Sequence, residues 1–398
     1  MEARSLPAAL APAARAGDRA IAVPWPLAAT VFAATSIVLG LIWDISWHMT
    51  IGRDTFWTPA HLAVYVGGIV GGCANGWLVL RTTLRGTDAE RAGAVRFWGF
   101  RGPLGAFVSI WGAGAMLTSA PFDDWWHGAY GLDVEILSPP HLVLLLGVLG
   151  IVGGAMITSL TYQNAAAAAG ESDDRQRAFR WCYAYAAGLL LTMAAVAVYE
   201  RAHPIRSHSA GYYQAAAIAL PAVLCAVARG SRLRWPATAA ALMYMGVFCL
   251  MTWILPLFPA TPKLGPIYQP ITHMVPMGFP LLLVFPALGV DLVLRRLPNA
   301  RRLVQAIAIG VVFVGVMLAV QWPFGSFQLS EASHNWFFAG DNFTYDTPPT
   351  SMRVRGEFPR FHATVADFWR GIAIAAGIAV LTSWLGLAWG GWMRRVRR

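Results

Sequence analysis

Apolar runs of about 20 residues, parted by short polar pieces, recur along the whole chain, and no other feature narrows the possible folds so far. Only 13% of the 398 residues are charged, roughly half the share in a soluble domain. A run of that length and polarity is a membrane-spanning helix, because lipid leaves the backbone no partner but itself. The chain is therefore expected to be all-α, a polytopic membrane helical bundle of about ten transmembrane helices. The expected spans lie near 24–46, 59–81, 102–121, 139–162, 178–199, 210–228, 235–258, 274–294, 303–322 and 368–392. Polar connections alternate in character. Arginine crowds one set, as in Arg91, Arg96 and Arg101, then Arg175 and Arg177, then Arg295 and Arg296, and finally Arg394 and Arg395. By the positive-inside rule those connections and both termini are cytoplasmic. The net charge of +10 is explained by this bias and calls for no nucleic-acid partner. Membrane lipid is the expected surroundings, in a bacterial inner membrane.

All nine histidines fall on the opposite, periplasmic side. Four of them belong to an internal repeat with a period of about 80 residues. The first copy reads Asp44, His48, Gly52, Asp54, Thr58-Pro59 and His61; the second reads Asp123-Asp124, His127, Gly131, Asp133, Ser138-Pro139 and His141. Each copy joins the end of one span to the start of the next. Asp44 and His48 are one helical turn apart and share a face. The Thr-Pro and Ser-Pro steps are helix starts. They place His61 and His141 in the first turn of the returning helix. One carboxylate and two imidazoles at a hairpin end suit copper, iron or zinc with coordination positions left open. The competing reading is an Asp–His hydrogen bond that ties each hairpin together. The repetition of the same three residue types favours metal: Asp44, His48 and His61 at one site, Asp123, His127 and His141 at the other. Asp54, Asp124 and Asp133 are second-shell or alternative ligands. Glu200, His203 and His208 form a weaker polar cluster, and His273 stands in another outer loop.

The two motifs resemble those of the C subunit of the particulate methane and ammonia monooxygenases, copper enzymes of the membrane. The similarity covers about 24–163 and rests on these six positions and on topology. The resemblance implies two membrane copper sites, an Asp/His/His set on Asp44, His48 and His61, and an Asn/His/His set on Asp123, His127 and His141. Asp123 departs from it, standing where the family has Asn. It also implies companion monooxygenase-like subunits, a quinol electron donor and a trimer of heteromers.

The organisation read from the sequence is a cytoplasmic tail (1–23), a repeated two-hairpin unit (24–163), further membrane helices (164–322), a periplasmic loop (323–367), and a last helix with a basic tail (368–398). The N-terminal stretch lacks a clear cleavage site, so the first span is read as retained. Cys73, Cys182, Cys225 and Cys249 lie in apolar runs without C-x-x-C spacing, which indicates neither disulfides nor a thiolate site. The leading functional expectation is oxygen-dependent hydroxylation of a small apolar substrate. The alternative is a periplasm-facing copper-handling or oxidase-assembly role without catalysis. The centres of the spans carry no ionisable residue, which argues against ion-coupled transport. A lipid-linked glycosyltransferase ranks third, on architecture alone.

Overall fold

The computed structural model describes residues 23–53, 55–131, 138–199 and 201–396, with the side chain of His127 outside that description. Asp54, Asp133 and Glu200 also lie outside the described residues. The described chain is helical almost throughout. Its elements are α1 (Trp25–Thr50), α2 (Pro59–Arg85), α3 (Asp88–Ala92), a hairpin of β1 (Val95–Phe97) and β2 (Phe100–Gly102), α4 (Leu104–Tyr130), α5 (Pro139–Ala168), α6 (Asp173–Ala197), α7 (Ala210–Gly230), α8 (Pro236–Ile254), α9 (Val284–Arg296), α10 (Arg302–Gln328) and α11 (Val365–Met393). Nine helices among the described residues are long and apolar enough to cross a membrane. Large apolar side chains such as Ile69, Leu117 and Leu146 stand exposed, as on a surface that meets lipid.

The span expected over 274–294 is a correction. Only α9, its second part, is helical; the chain from Met274 to Pro280 is neither helix nor strand. Pro276 and Pro280 explain this, because each removes a backbone donor and pushes its predecessor away from the helical region, whereas Pro286 stands in the first turn of α9 and is tolerated there. The opened backbone is satisfied by side chains of its neighbours. Val275 donates its N–H to Thr50 Oγ1 at 2.8 Å and accepts from Ser46 Oγ at 2.6 Å. The Pro276 carbonyl accepts from Asn342 Nδ2, that of Met277 from the Tyr199 hydroxyl, and that of Gly278 from Thr252 Oγ1. Leu281 and Leu282 donate their N–H groups to Tyr244 and Gln321. Irregular backbone inside a bundle is tolerated only with such partners.

The repeat is visible in the packing. α1 lies along α2, and α4 along α5. Helices in lipid gain little from hydrophobic burial, so close contact between small residues binds them. At Gly67 a Cβ would stand 2.7 Å from the carbonyl oxygen of Ala33, so no larger residue fits. The second half closes on itself through α11 against α7 and α10. Loops of that half also brace the first hairpin: Lys263 donates its N–H to the Ile51 carbonyl at 2.9 Å, and Tyr345 to that of Met49 at 3.2 Å.

Candidate metal centre

The sequence builds each hairpin end in the same way. α1 ends just before Gly52 and α4 ends at Gly131's neighbour Tyr130; both glycines take positive φ, +79° and +94°, where a side chain would be strained. Thr58 and Ser138 occupy the N-cap positions of α2 and α5 with extended backbone, as expected. Neither hydroxyl makes a capping bond. Proline in the first turn does the starting, since its missing N–H is no loss there. His61 and His141 then stand on the third residue of their helices.

In the first copy the Asp44 carboxylate lies between the two imidazoles. Its Oδ1 is 3.2 Å from His61 Nε2 and its Oδ2 is 3.9 Å from His48 Nε2. His61 Nδ1 is 2.9 Å from the Thr55 carbonyl oxygen. A carbonyl only accepts, so Nδ1 carries a proton, and Nε2 is the ring atom that meets Asp44. It lies 3.2 Å from Oδ1, which is sealed from solvent. Either a proton on Nε2, giving an imidazolium–carboxylate pair, or a metal ion held by both atoms completes the contact. The carbonyl lock on Nδ1 is the usual partner of an imidazole that ligates through Nε2. The Asp44 side chain is 19% exposed and that of His61 24%, whereas His48 is 50% exposed. Beside them opens a cleft lined by Trp47, Arg53, Thr55, Trp57, Thr58, Pro59 and Lys263.

In the second copy His141 Nε2 is 3.5 Å from Asp123 Oδ1. Its Nδ1 is buried without a hydrogen-bond partner, so no carbonyl locks this ring. Asp124 is exposed and forms no ion pair among the described residues. His127 stands on the last turns of α4, with its side chain outside the description. Asp54 and Asp133, expected as second-shell partners, are outside it altogether. Among the described residues no group of three or more His, Cys, Asp or Glu side chains is arranged to hold a metal ion. Among the described residues the two Asp–His pairs are therefore present without a closed three-ligand set, and the place of the His127 side chain lies outside the description.

The weaker candidates go elsewhere. His203 Nδ1 accepts from the N–H of Ile205 at 3.4 Å. His208 is stacked between Trp322 and Phe358, with ring centroids 4.0 Å and 3.7 Å away. His273 Nδ1 is 3.0 Å from Thr272 Oγ1. None of them joins either Asp–His pair, and Glu200 lies outside the described residues. Sequence reasoning missed the Thr55 carbonyl, which no side-chain pattern announces. It also missed the bracing by Ser46 and Thr50, which read as ordinary helix residues. No family model, no curated protein and no solved structure matches the chain.

Proposed function

We propose that this chain is a metal protein of the bacterial inner membrane, with copper the best-suited ion and its sites on the periplasmic side. We propose further that it serves the oxygen-dependent hydroxylation of a small apolar substrate. The observation that carries the reading is the Asp44–His61 contact, in which an imidazole held at Nδ1 by a backbone carbonyl turns its Nε2 to a buried carboxylate oxygen 3.2 Å away, with His48 on the other oxygen. Asp44, His61 and His48 would hold the ion at the first site, and Asp123, His141 and His127 at the second. Iron or zinc would suit the same donors. Copper, when bound, supplies one-electron redox chemistry and open coordination positions. The chain's own part is to neutralise the ion with one carboxylate and to fix the His61 ring through Thr55. Trp47 and Trp57 flank the cleft beside it. Electrons would come from a quinol through companion subunits docked on the exposed helix faces.

A second reading, copper handling or oxidase assembly without catalysis, is favoured by the 50% exposure of His48 and by the open cleft beside it. Exposed ligands exchange metal readily. Both readings are tested by metal analysis of the purified, copper-loaded protein beside His48→Ala, His61→Ala and His141→Ala. Wild type is expected to retain copper through dialysis, and His61→Ala to lose the first site. A wild type that retains no metal, or a His61→Ala that retains as much, would remove the proposal. Retained copper with no oxygen uptake in membranes containing the companion subunits would select the handling role.

A further inference from the structure

A second polar site lies away from both hairpins. A cavity of about 30 Å3 opens between the outer ends of α6, α8 and α10, the segment Met277–Leu281 and the cap loop that carries Asn342 and Arg353. That is room for a few waters or one small ion. Its polar lining is one-sided. Arg353 brings a guanidinium that forms no ion pair among the described residues. Its Nη2 is spent on the carbonyl and side-chain oxygens of Asn342, and its plane lies 5.1 Å from the Phe343 ring. The remaining guanidinium donors are not sealed away.

Two neutral donors join it. His203 accepts at Nδ1, so its Nε2 carries the proton. Burial, with Arg353 and Arg206 nearby, holds its pKa down at about 3, so it adds no charge. Gln328 is 7% exposed, and its side-chain amide makes no hydrogen bond among the described residues but is not sealed from the open space beside it. The Tyr199 hydroxyl is already used on the Met277 carbonyl. No described Asp or Glu lines the space, and the carboxylate that acts on Arg353 is Asp341, the neighbour of Asn342 in the chain.

We infer that this cavity is a binding site for a small monovalent anion, of halide or formate size, held by Arg353 with the Nε2–H of His203 and the amide N–H of Gln328. The site is independent of the metal reading, since it shares no residue with the Asp–His pairs.

The test is thermal unfolding of the full chain in detergent, followed by tryptophan fluorescence. Chloride and formate would each be titrated against gluconate at constant ionic strength. Wild type is expected to show a saturable rise in midpoint with chloride, formate or both, and none with gluconate; which of the two acts identifies the ligand type. Arg353→Gln is expected to abolish the rise. Because that variant also loosens Asn342, Gln328→Leu is measured beside it, with an apparent affinity about tenfold weaker expected. Wild type without a saturable, anion-specific shift would overturn the inference. So would a Gln328→Leu variant that titrates like wild type, whether or not Arg353→Gln folds.

Discussion

The orientation of His61 is set by a backbone carbonyl. Thr55 O accepts a hydrogen bond from Nδ1–H and leaves Nε2 to face Asp44 at 3.2 Å. Replacing Asp44 by Asn keeps the shape and removes the charge. On the metal reading, Asp44→Asn is expected to lower copper affinity by at least tenfold, read by competition with a chelator, while the unfolding midpoint of the metal-free protein changes little. Equal affinity in the two proteins would count against Asp44 as a ligand. His203 gives a second prediction, on stability. Its folded pKa of about 3 lies below the unfolded value of 6.5. Between those limits only the unfolded chain binds the proton, so stability is full above pH 6.5 and declines as pH falls toward 3. Midpoints measured from pH 7.5 to 5 should fall less steeply in His203→Gln than in wild type; parallel curves would show that other groups set the slope.

At the scale of elements, the broken span between Met274 and Leu283 depends on side chains that belong to other helices. Ser46 is fully buried and donates to the Val275 carbonyl at 2.6 Å. Ser46→Ala leaves that carbonyl without its partner and should cost about 1–3 kcal/mol. A midpoint unchanged by Ser46→Ala would mean that water or a neighbour replaces the hydroxyl. The hairpins themselves depend on close approach. Gly67→Leu sets a side chain against the Ala33 carbonyl and should part α1 from α2, costing on the order of 1–3 kcal/mol or more. The same variant tests whether the hairpin aligns the site, since Asp44 and His61 sit on those two helices.

Across the whole molecule, the two halves meet at the C-terminal end of α1. Ser46 and Thr50 hold Val275, Lys263 holds Ile51, and Tyr345 holds Met49. The half without a counterpart in the repeat thereby buttresses the first hairpin. On the topology proposed from charge, the arginine-rich loops are cytoplasmic and the others periplasmic. In a chain with its own cysteines replaced, a thiol at Asp346→Cys should react with a membrane-impermeant maleimide in intact cells. One at Arg91→Cys should react only after permeabilisation. The reverse pattern would invert the topology proposed from charge.

The primary sequence by itself determined the all-α class, nearly every helix and the paired motifs. Those features follow from local rules: apolar runs longer than a bilayer is thick, proline at helix starts and glycine at helix ends. Pro276 and Pro280 were equally legible as helix breakers, yet 274–294 is apolar enough to pass for a span. Length and composition do not report where backbone partners come from. Only the tertiary structure decided that. It supplied Thr252, Tyr199 and Asn342 to an opened span and Arg353 to a cavity from distant positions, and Thr55, six residues away, to the His61 ring. The Asp44–His61 pair was predictable because both residues sit at the ends of one hairpin. The anion cavity was not, because its walls come from five parts of the chain whose meeting is fixed by packing.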